Sequence, residues 1–118
     1  MKTQQQLLEE TRARITEVTT AQALEAFARK DGTVFLDVRE PQEWNLGHIP
    51  GAVHVPLAQV QAQVEQAVPR GATVIVYCQS GNRSVWATDI MEQLGYTKVS
   101  SLRDGIRGWA YSGGEIED

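Results

Sequence analysis

The order of apolar and polar positions along the 118 residues predicts helices that alternate with short strands. Two runs are apolar and β-branched enough to be buried strands, TVFLDV at residues 33–38 and ATVIVY at residues 72–77. Three shorter runs are weaker strand candidates, at residues 15–18, 52–55 and 96–102. Because strands separated by helices usually pair in parallel, this pattern predicts an α/β fold with helices on both faces of a mainly parallel sheet.

Helical signals fill the segments between these strand candidates. Thr3 with Gln6, and Thr19 with Gln22, have the spacing of a capping box, which satisfies free backbone N–H groups at a helix N-terminus. Apolar residues at helical spacing, or a proline suited to a first turn, predict further helices that begin near Pro41, Leu57, Trp86 and Ile106. The last seven residues, SGGEIED, are expected to fray.

Composition narrows the class of protein. The chain is long enough for one domain with its own core, and its net charge of −4 disfavours nucleic acid as a partner. No apolar stretch approaches the roughly 20 residues that span a bilayer, and the N-terminus lacks the apolar core of a signal peptide. We therefore expect a cytoplasmic protein with no membrane partner. One cysteine and two histidines also make a metal site improbable and exclude an internal disulfide.

The single cysteine lies in YCQSGNRS, residues 77–84, between a buried strand and a helix. That helix carries Trp86, Ile90 and Leu94 as an i, i+4, i+8 stripe. Backbone N–H groups in such a loop, together with the positive end of the helix dipole, can converge on an anion. A thiol placed there should ionise more readily than a free cysteine, and the thiolate is the nucleophilic form. Cys78 is therefore the candidate catalytic residue, although a lone cysteine is often an inert buried side chain.

The rest of the loop suits the binding of an anionic substrate. Gly81 allows a backbone conformation that other residues resist, and Arg83 could supply a fixed positive charge. Ser80 and Ser84 could donate hydroxyl hydrogen bonds, although a serine at a helix start is commonly a cap. The candidate substrate-binding residues are Gln79, Ser80, Gly81, Asn82, Arg83 and Ser84.

Three segments, in this order, resemble the rhodanese family of sulfurtransferases. FLDVREPQEWNLGHIPGAVHVPL (35–57) resembles the first signature of the family. VIVYCQSGNRS (74–84) resembles its active-site loop, and LRDGIRGW (102–109) resembles its closing signature. The combination is specific, although each piece alone would not be.

The resemblance implies a rhodanese-like three-layer α/β fold, with a central, mainly parallel five-stranded sheet and helices on both faces. The corresponding domain is residues 15–112. Residues 1–14 are predicted to form a helical extension that packs on the domain, and residues 113–118 an acidic, solvated tail.

The resemblance also implies a thiosulfate sulfurtransferase. In this reaction Cys78 takes the outer sulfur of a small anionic donor such as thiosulfate and becomes a persulfide. An acceptor, which is cyanide in the test tube or a thiol or protein in the cell, then takes that sulfur. The covalent persulfide makes a separate cofactor unnecessary. Because the chain has no second cysteine, the sulfur must leave to an external acceptor.

Residues outside the loop receive roles from the same resemblance. Asp37 and Arg39 match a D-x-R element, which either orients the active-site loop or forms a structural network at the strand end. His48 lies in the G-H-I-P-G-A stretch and is predicted to be a structural hydrogen-bonding residue. Trp44 and Trp109 are expected to serve packing rather than to rim the pocket.

Three alternatives stay open. Phosphatases and arsenate reductases of similar fold use a loop one residue longer, whereas six residues run from Cys78 to Arg83 here. A ring of donors that is one residue shorter should fit a sulfane sulfur better than a phosphate. The second alternative is a non-catalytic rhodanese-like binding or regulatory module. The third is a persulfide carrier that feeds one specific biosynthetic enzyme.

Overall fold

A computed structural model describes all 118 residues and contains every predicted helix and strand. The six helices are α1 Gln4–Arg14, α2 Thr20–Arg29, α3 Pro41–Leu46, α4 Val60–Ala67, α5 Arg83–Gln93 and α6 Gly105–Tyr111. The five strands are β1 Glu17–Val18, β2 Val34–Asp37, β3 Val53–His54, β4 Val74–Tyr77 and β5 Val99–Leu102. Both capping boxes form, at the N-termini of α1 and α2. A 3₁₀ turn at Leu57–Gln59 precedes α4.

All five strands belong to one sheet with the order β1-β5-β4-β2-β3. Every pairing is parallel, so the expected mainly parallel sheet is entirely parallel. The two strongest strand patterns occupy the interior, where β4 pairs with both β2 and β5 and all four of its residues are buried. Because parallel strands end at the same edge, the residues that follow β2, β4 and β5 meet there.

Helices cover both faces of the sheet and bury two separate parts of the core. On one face α4 and α5 pack on β2, β4 and β5, and Cys78 belongs to this cluster. On the other face α2 and α6 pack on the sheet, and the ring of Trp109 of α6 meets Phe27 and Phe35 edge-on at centroid distances of 5.3 and 5.6 Å. Trp109 is therefore a core residue, as predicted. None of the helices has the length and apolar character needed to cross a bilayer.

The buried side of α5 differs from the stripe that its sequence predicts. Trp86, Ile90 and Leu94 are only partly buried, and a line that includes hydroxyl residues faces the sheet instead. The fully buried members of this line are Ser84, Ala87, Thr88 and Met91. Thr88 is accommodated because its hydroxyl donates to the backbone carbonyl of Ser84 at 2.7 Å. A hydrophobicity pattern misplaces the stripe because it assigns serine and threonine to solvent.

The prediction of a frayed C-terminal tail is wrong. The backbones of His48 and Glu117 exchange two N–H···O bonds of 2.9 Å, which form an isolated antiparallel bridge. Trp109 Nε1 also donates to the carbonyl of Glu115 at 2.8 Å. The His48 ring stacks on Trp44 at a centroid distance of 3.5 Å. The tail is held in place because it hydrogen-bonds backbone groups in the α3–β3 connection and the indole N–H of α6. The composition of the tail does not reveal either partner.

Candidate active site

Cys78 lies directly after β4 at the carboxyl edge of the sheet, with only 1% of its surface exposed. Its Sγ accepts the backbone N–H of Gly81 at 3.2 Å and that of Ser84 at 3.3 Å. The first contact comes from the turn of the loop and the second from the first turn of α5. Both donors would stabilise negative charge on sulfur, so the sequence-predicted anion cradle is present.

Other groups of the loop are arranged to favour an anion. The backbone N–H groups of Ser80, Asn82 and Arg83 have no hydrogen-bond partner within the chain. The carbonyls of Cys78 and Gln79, which would repel an anion, are instead bonded to N–H groups at the start of α6, at 2.9 and 3.1 Å. Free donors and occupied acceptors together make the loop a potential anion-binding site.

Two glycines allow the segment after β5 to approach the loop closely. Gly81 has φ +100°, and a Cβ there would overlap the carbonyl oxygen of Arg103. Gly105 has φ +63°, and a Cβ there would lie 2.8 Å from the carbonyl oxygen of Cys78 and 2.6 Å from the carbonyl carbon of Gln79. Both conformations and both contacts exclude a side chain. The backbone of the LRDGIRGW segment therefore packs directly against the backbone of the loop.

Two buried hydroxyl groups extend from the sulfur into the protein. Cys78 Sγ lies 3.5 Å from Ser84 Oγ, and Ser101 Oγ donates to Ser84 Oγ at 2.8 Å. Ser84 and Ser101 have no exposed surface. The sequence prediction included Ser84 but missed Ser101 on β5. The available signal was strand alternation, which places Ser101 on the same inward face as Val99 despite its hydroxyl.

Arg83 is oriented differently from the sequence-based expectation. Its guanidinium makes two hydrogen bonds to the Glu43 carboxylate of α3, at 2.7 and 2.9 Å, and none to Sγ. The hydrogen bonds from Arg83 lower the pKa of Glu43 to about 2. Reciprocally, the Glu43 carboxylate raises the pKa of Arg83. Glu43 was not predicted as a site residue, because nothing in the local sequence relates two positions 40 residues apart.

Asp37 and Arg39 form a buried ion pair at the end of β2. Arg39 Nη2 donates to Asp37 Oδ2 at 2.8 Å and to the carbonyl of Gly47 at 2.7 Å. Burial acts to lower the pKa of Arg39, but the hydrogen bonds and attraction to Asp37 outweigh it and raise this pKa. Arg39 Nη1 reaches Gln79 Oε1 at 3.4 Å, which is the pair's one side-chain hydrogen bond to the loop. The geometry therefore combines a structural network with a weak link to the loop.

The remaining loop side chains point away from the sulfur. Asn82 Oδ1 accepts from Arg12 of α1 at 2.9 Å, and Ser80 lines a groove beside α6. Gln79 lines a second groove of about 440 Å³ between α3 and α6, next to Arg107 and the 84% exposed Leu46. The six candidate substrate-binding residues thus form the loop, but only Gly81 and Ser84 hydrogen-bond to Sγ.

Comparison with known proteins places the whole arrangement in a family. The family model for the Rhodanese-like domain matches residues 20–112. A protein named Sulfurtransferase from Allochromatium vinosum is 31% identical over 99 residues, which cover 84% of this chain and 92% of that relative. Thiosulfate sulfurtransferase PspE from Escherichia coli is 38% identical over 68 residues, which cover 57% of this chain and 65% of PspE. With YrkF of Bacillus subtilis the identity is 36% over 91 residues, 74% of this chain, but the chain spans only 49% of YrkF.

Solved structures agree with the sequence comparison. A protein of unknown function from Rhodopseudomonas palustris, described as a possible tyrosine phosphatase, matches with a TM-score of 0.86 at 25% identity. The match covers 99% of this chain and 96% of the other. A rhodanese-related protein from Thermoplasma volcanium has a TM-score of 0.77 at 26% identity, over 86% of this chain and 97% of its own. The family match includes the cysteine loop and the segment that supports it. The chain therefore belongs to the rhodanese-like domain family.

Proposed function

We propose that this protein is a sulfurtransferase that carries a sulfane sulfur as a persulfide on Cys78. The observation that carries the proposal is the sulfur at the end of β4, which receives two backbone N–H bonds of 3.2 and 3.3 Å. The names of the sulfurtransferase relatives support the same class of reaction. We further propose thiosulfate as a donor and a reduced thiol as the acceptor, in the cytoplasm, where thiols are kept reduced.

In the first half-reaction the Cys78 thiolate attacks the outer sulfur of thiosulfate. A bond forms between Sγ and that sulfur, the sulfur–sulfur bond of thiosulfate breaks, and sulfite leaves with the bonding electron pair. The N–H groups of Gly81 and Ser84 hold the thiolate before the attack. The free N–H groups of Ser80, Asn82 and Arg83 are then available to the anionic outer sulfur.

In the second half-reaction an acceptor thiolate, or cyanide in an assay, attacks the outer sulfur of the persulfide. The new bond to the acceptor forms, the bond to Sγ breaks, and Cys78 leaves as a thiolate with the electron pair. The same two N–H groups stabilise this leaving group. The cycle needs no external oxidant, reductant or cofactor, because the sulfur remains covalently bound between the two steps. The single cysteine requires that the acceptor be another molecule.

Phosphoryl transfer is the second candidate, because one structural neighbour is described as a possible tyrosine phosphatase. The six residues from Cys78 to Arg83 argue against it, since the related phosphatase loops are longer by one residue. In addition, Arg83 is paired with Glu43 rather than open toward the sulfur. Hydrolysis of p-nitrophenyl phosphate by the wild-type protein, abolished by Cys78→Ser, would favour this candidate over sulfur transfer.

The first prediction concerns the persulfide itself. Reduced protein incubated with thiosulfate should gain about 32 Da in intact mass, the mass of one sulfur atom held as a persulfide. Cyanide should reverse the gain and release thiocyanate. Cys78→Ser is the matched control and should gain nothing, because the hydroxyl is a poor nucleophile toward sulfur.

Failure of this mass gain with thiosulfate, with mercaptopyruvate and with a glutathione persulfide would reject the proposed function. It would then favour a non-catalytic binding module. If the mass gain occurs but cyanide turns over slowly, rapid sulfur transfer to one candidate protein would identify a dedicated persulfide carrier.

The second prediction separates the charge of Arg83 from its ion pair. If Arg83 helps to bind the anionic donor, Arg83→Ala should raise the KM for thiosulfate about tenfold, because a hydrogen bond to a charged group contributes at least about 1.4 kcal/mol. Glu43→Gln retains a hydrogen-bond acceptor but removes the competing negative charge, so it should lower this KM about twofold. Steady-state kinetics with thiosulfate and cyanide measure both.

The pH profile supplies a further constraint on this pair. Because the pKa of Glu43 is about 2, its carboxylate remains ionised over the whole range of a normal assay. Wild-type KM should therefore show no step from Glu43 protonation between about pH 5 and 8. Equal KM values in wild type, Arg83→Ala and Glu43→Gln would assign the pair a purely structural role.

A further inference from the structure

Ser101 is a buried residue whose hydroxyl makes a single hydrogen bond. It lies on β5 with no exposed surface, and its Oγ donates to Ser84 Oγ at 2.8 Å. Neither hydroxyl has any hydrogen-bond partner apart from the other hydroxyl and Cys78 Sγ. Burying two hydroxyl groups destabilises the fold unless each one donates its hydrogen to an acceptor. The acceptor of each hydroxyl hydrogen therefore has to be identified.

The hydroxyl groups of Ser101 and Ser84 form a chain of hydrogen bonds that ends at Cys78 Sγ. When Ser101 donates to Ser84, the Ser84 hydrogen has one remaining partner, which is Cys78 Sγ at 3.5 Å. A protonated thiol can donate in the opposite direction, to Ser84 Oγ. A thiolate can only accept, and it then receives the Ser84 hydroxyl in addition to two backbone N–H groups.

We propose that Ser101 is a positioning residue for the reacting sulfur, which acts by holding the Ser84 hydroxyl as a donor to the Cys78 thiolate. The part of this proposal that assigns the hydroxyl pair to sulfur transfer rests on the proposed function. The pair would stabilise Cys78 both as the attacking thiolate and as the leaving thiolate. Its contribution passes through hydrogen bonds that polarise one another in a buried site.

The charged surroundings of the sulfur stay unchanged when the Ser101 hydroxyl is removed. The charged and titratable side chains on the segments around the loop are Arg12, Glu17, Asp37, Arg39, Glu40, Glu43, Tyr77, Arg83, Arg103, Asp104 and Arg107. Four of these five arginines are already held in ion pairs with carboxylates, and none of the groups hydrogen-bonds the Ser101 hydroxyl. A change in thiolate formation in a Ser101 variant therefore reports the hydroxyl rather than an altered charge.

The test is the pH profile of alkylation of Cys78 by iodoacetamide, which requires no sulfur donor. Ser101→Ala should move the pH midpoint of the alkylation rate upward by about half a unit to one unit, the range that corresponds to the loss of one hydrogen bond between neutral groups. Ser84→Ala should give a shift of at least this size, and the double variant should shift no further than Ser84→Ala. Thermal unfolding followed by circular dichroism checks that each variant is folded.

Ser100→Ala is the matched control. Ser100 is the neighbouring serine on β5, but it points to the opposite face of the sheet, into a groove lined by Gln22 and Thr73. Its variant should keep the wild-type midpoint. Ser101→Thr keeps the hydroxyl, so it should also keep the midpoint even if its extra methyl group lowers stability.

Either of two results would overturn the role of Ser101. One is a folded Ser101→Ala variant whose alkylation midpoint equals that of the wild type. The other is an equal shift of the midpoint in Ser101→Ala and Ser101→Thr, which would assign the effect to packing. The two proposals fail separately. A wild-type protein that forms no persulfide but shows the Ser101→Ala shift would reject sulfur transfer and retain the hydroxyl contact.

A different set of contacts connects the N-terminal helix to the same loop. Helix α1 lies outside the stretch that the family model matches, residues 20–112. Arg12 of α1 donates to Asn82 Oδ1 at 2.9 Å and also bonds the Glu17 carboxylate. Glu17 in turn lies 3.5 Å from Arg103 Nε, and the backbone carbonyl of Arg103 is the group on which Gly81 packs.

We infer that α1 is a brace for the active-site loop, with Arg12 as its positioning residue. Asn82 makes no side-chain cap to α5, so its amide oxygen is free to be held from α1. Glu17 holds both Arg12 and Arg103 in ion pairs. This inference rests on the proposed function only for the consequence that loop order favours sulfur loading.

Arg14 provides a matched control for this brace. Its Nη2 bonds Asp89 Oδ1 at 3.1 Å, so it also joins α1 to α5 but does not contact the loop. Arg12→Gln should slow alkylation of Cys78 at neutral pH about threefold, which corresponds to one partly exposed hydrogen bond. Arg14→Gln should leave this rate unchanged at a similar cost in thermal stability, and Arg12→Lys should restore part of the rate.

A double-variant cycle decides whether Arg12 acts through Asn82. If it does, Arg12→Gln combined with Asn82→Ala should be no slower than the worse single variant. Multiplicative effects of the two substitutions, or an equal loss in Arg14→Gln, would overturn the brace. The assay again uses no sulfur donor, so its outcome is independent of whether the protein transfers sulfur.

Discussion

The site depends on one constraint, which is that a buried sulfur must be surrounded by donors and not by acceptors. The N–H groups of Gly81 and Ser84 point at Cys78 Sγ. The carbonyls of Cys78 and Gln79 are removed from the cradle because the start of α6 bonds them. This arrangement requires that β4 ends at one edge of the sheet and that α5 and α6 both begin there. The parallel topology supplies that edge.

Most of the arginines around the loop are paired with carboxylates rather than left open. Arg39 is paired with Asp37, and Arg83 with Glu43. Backbone donors thus become the principal means of stabilising an anion at the sulfur, and they need no reorganisation when charge develops. This suits a reaction in which the same sulfur is first a nucleophile and then a leaving group. It also explains why glycine is required at positions 81 and 105, where the supporting backbone approaches the loop.

Much of this arrangement could be predicted from the sequence, because local patterns record local structure. The two apolar β-branched runs became β2 and β4, the two capping boxes formed, and Cys78 lies in a cradle at a strand end. What could not be predicted are contacts between distant segments. Glu43 reaches Arg83 across 40 residues, and the polar tail pairs with His48. Ser101 was missed although strand alternation places it on the same face as Val99, because a serine in a pattern indicates a surface position until its hydroxyl partner is known.

The most direct test of the account is nuclear magnetic resonance of the backbone amides of Gly81 and Ser84 during a pH titration. If both N–H groups bond Sγ, their proton resonances should shift together, with a common midpoint that matches the alkylation midpoint of Cys78. The same resonances in Cys78→Ala should show no such transition. Amides that do not respond, or that titrate with separate midpoints unaffected by Cys78→Ala, would contradict the claim that backbone donors hold the reacting sulfur.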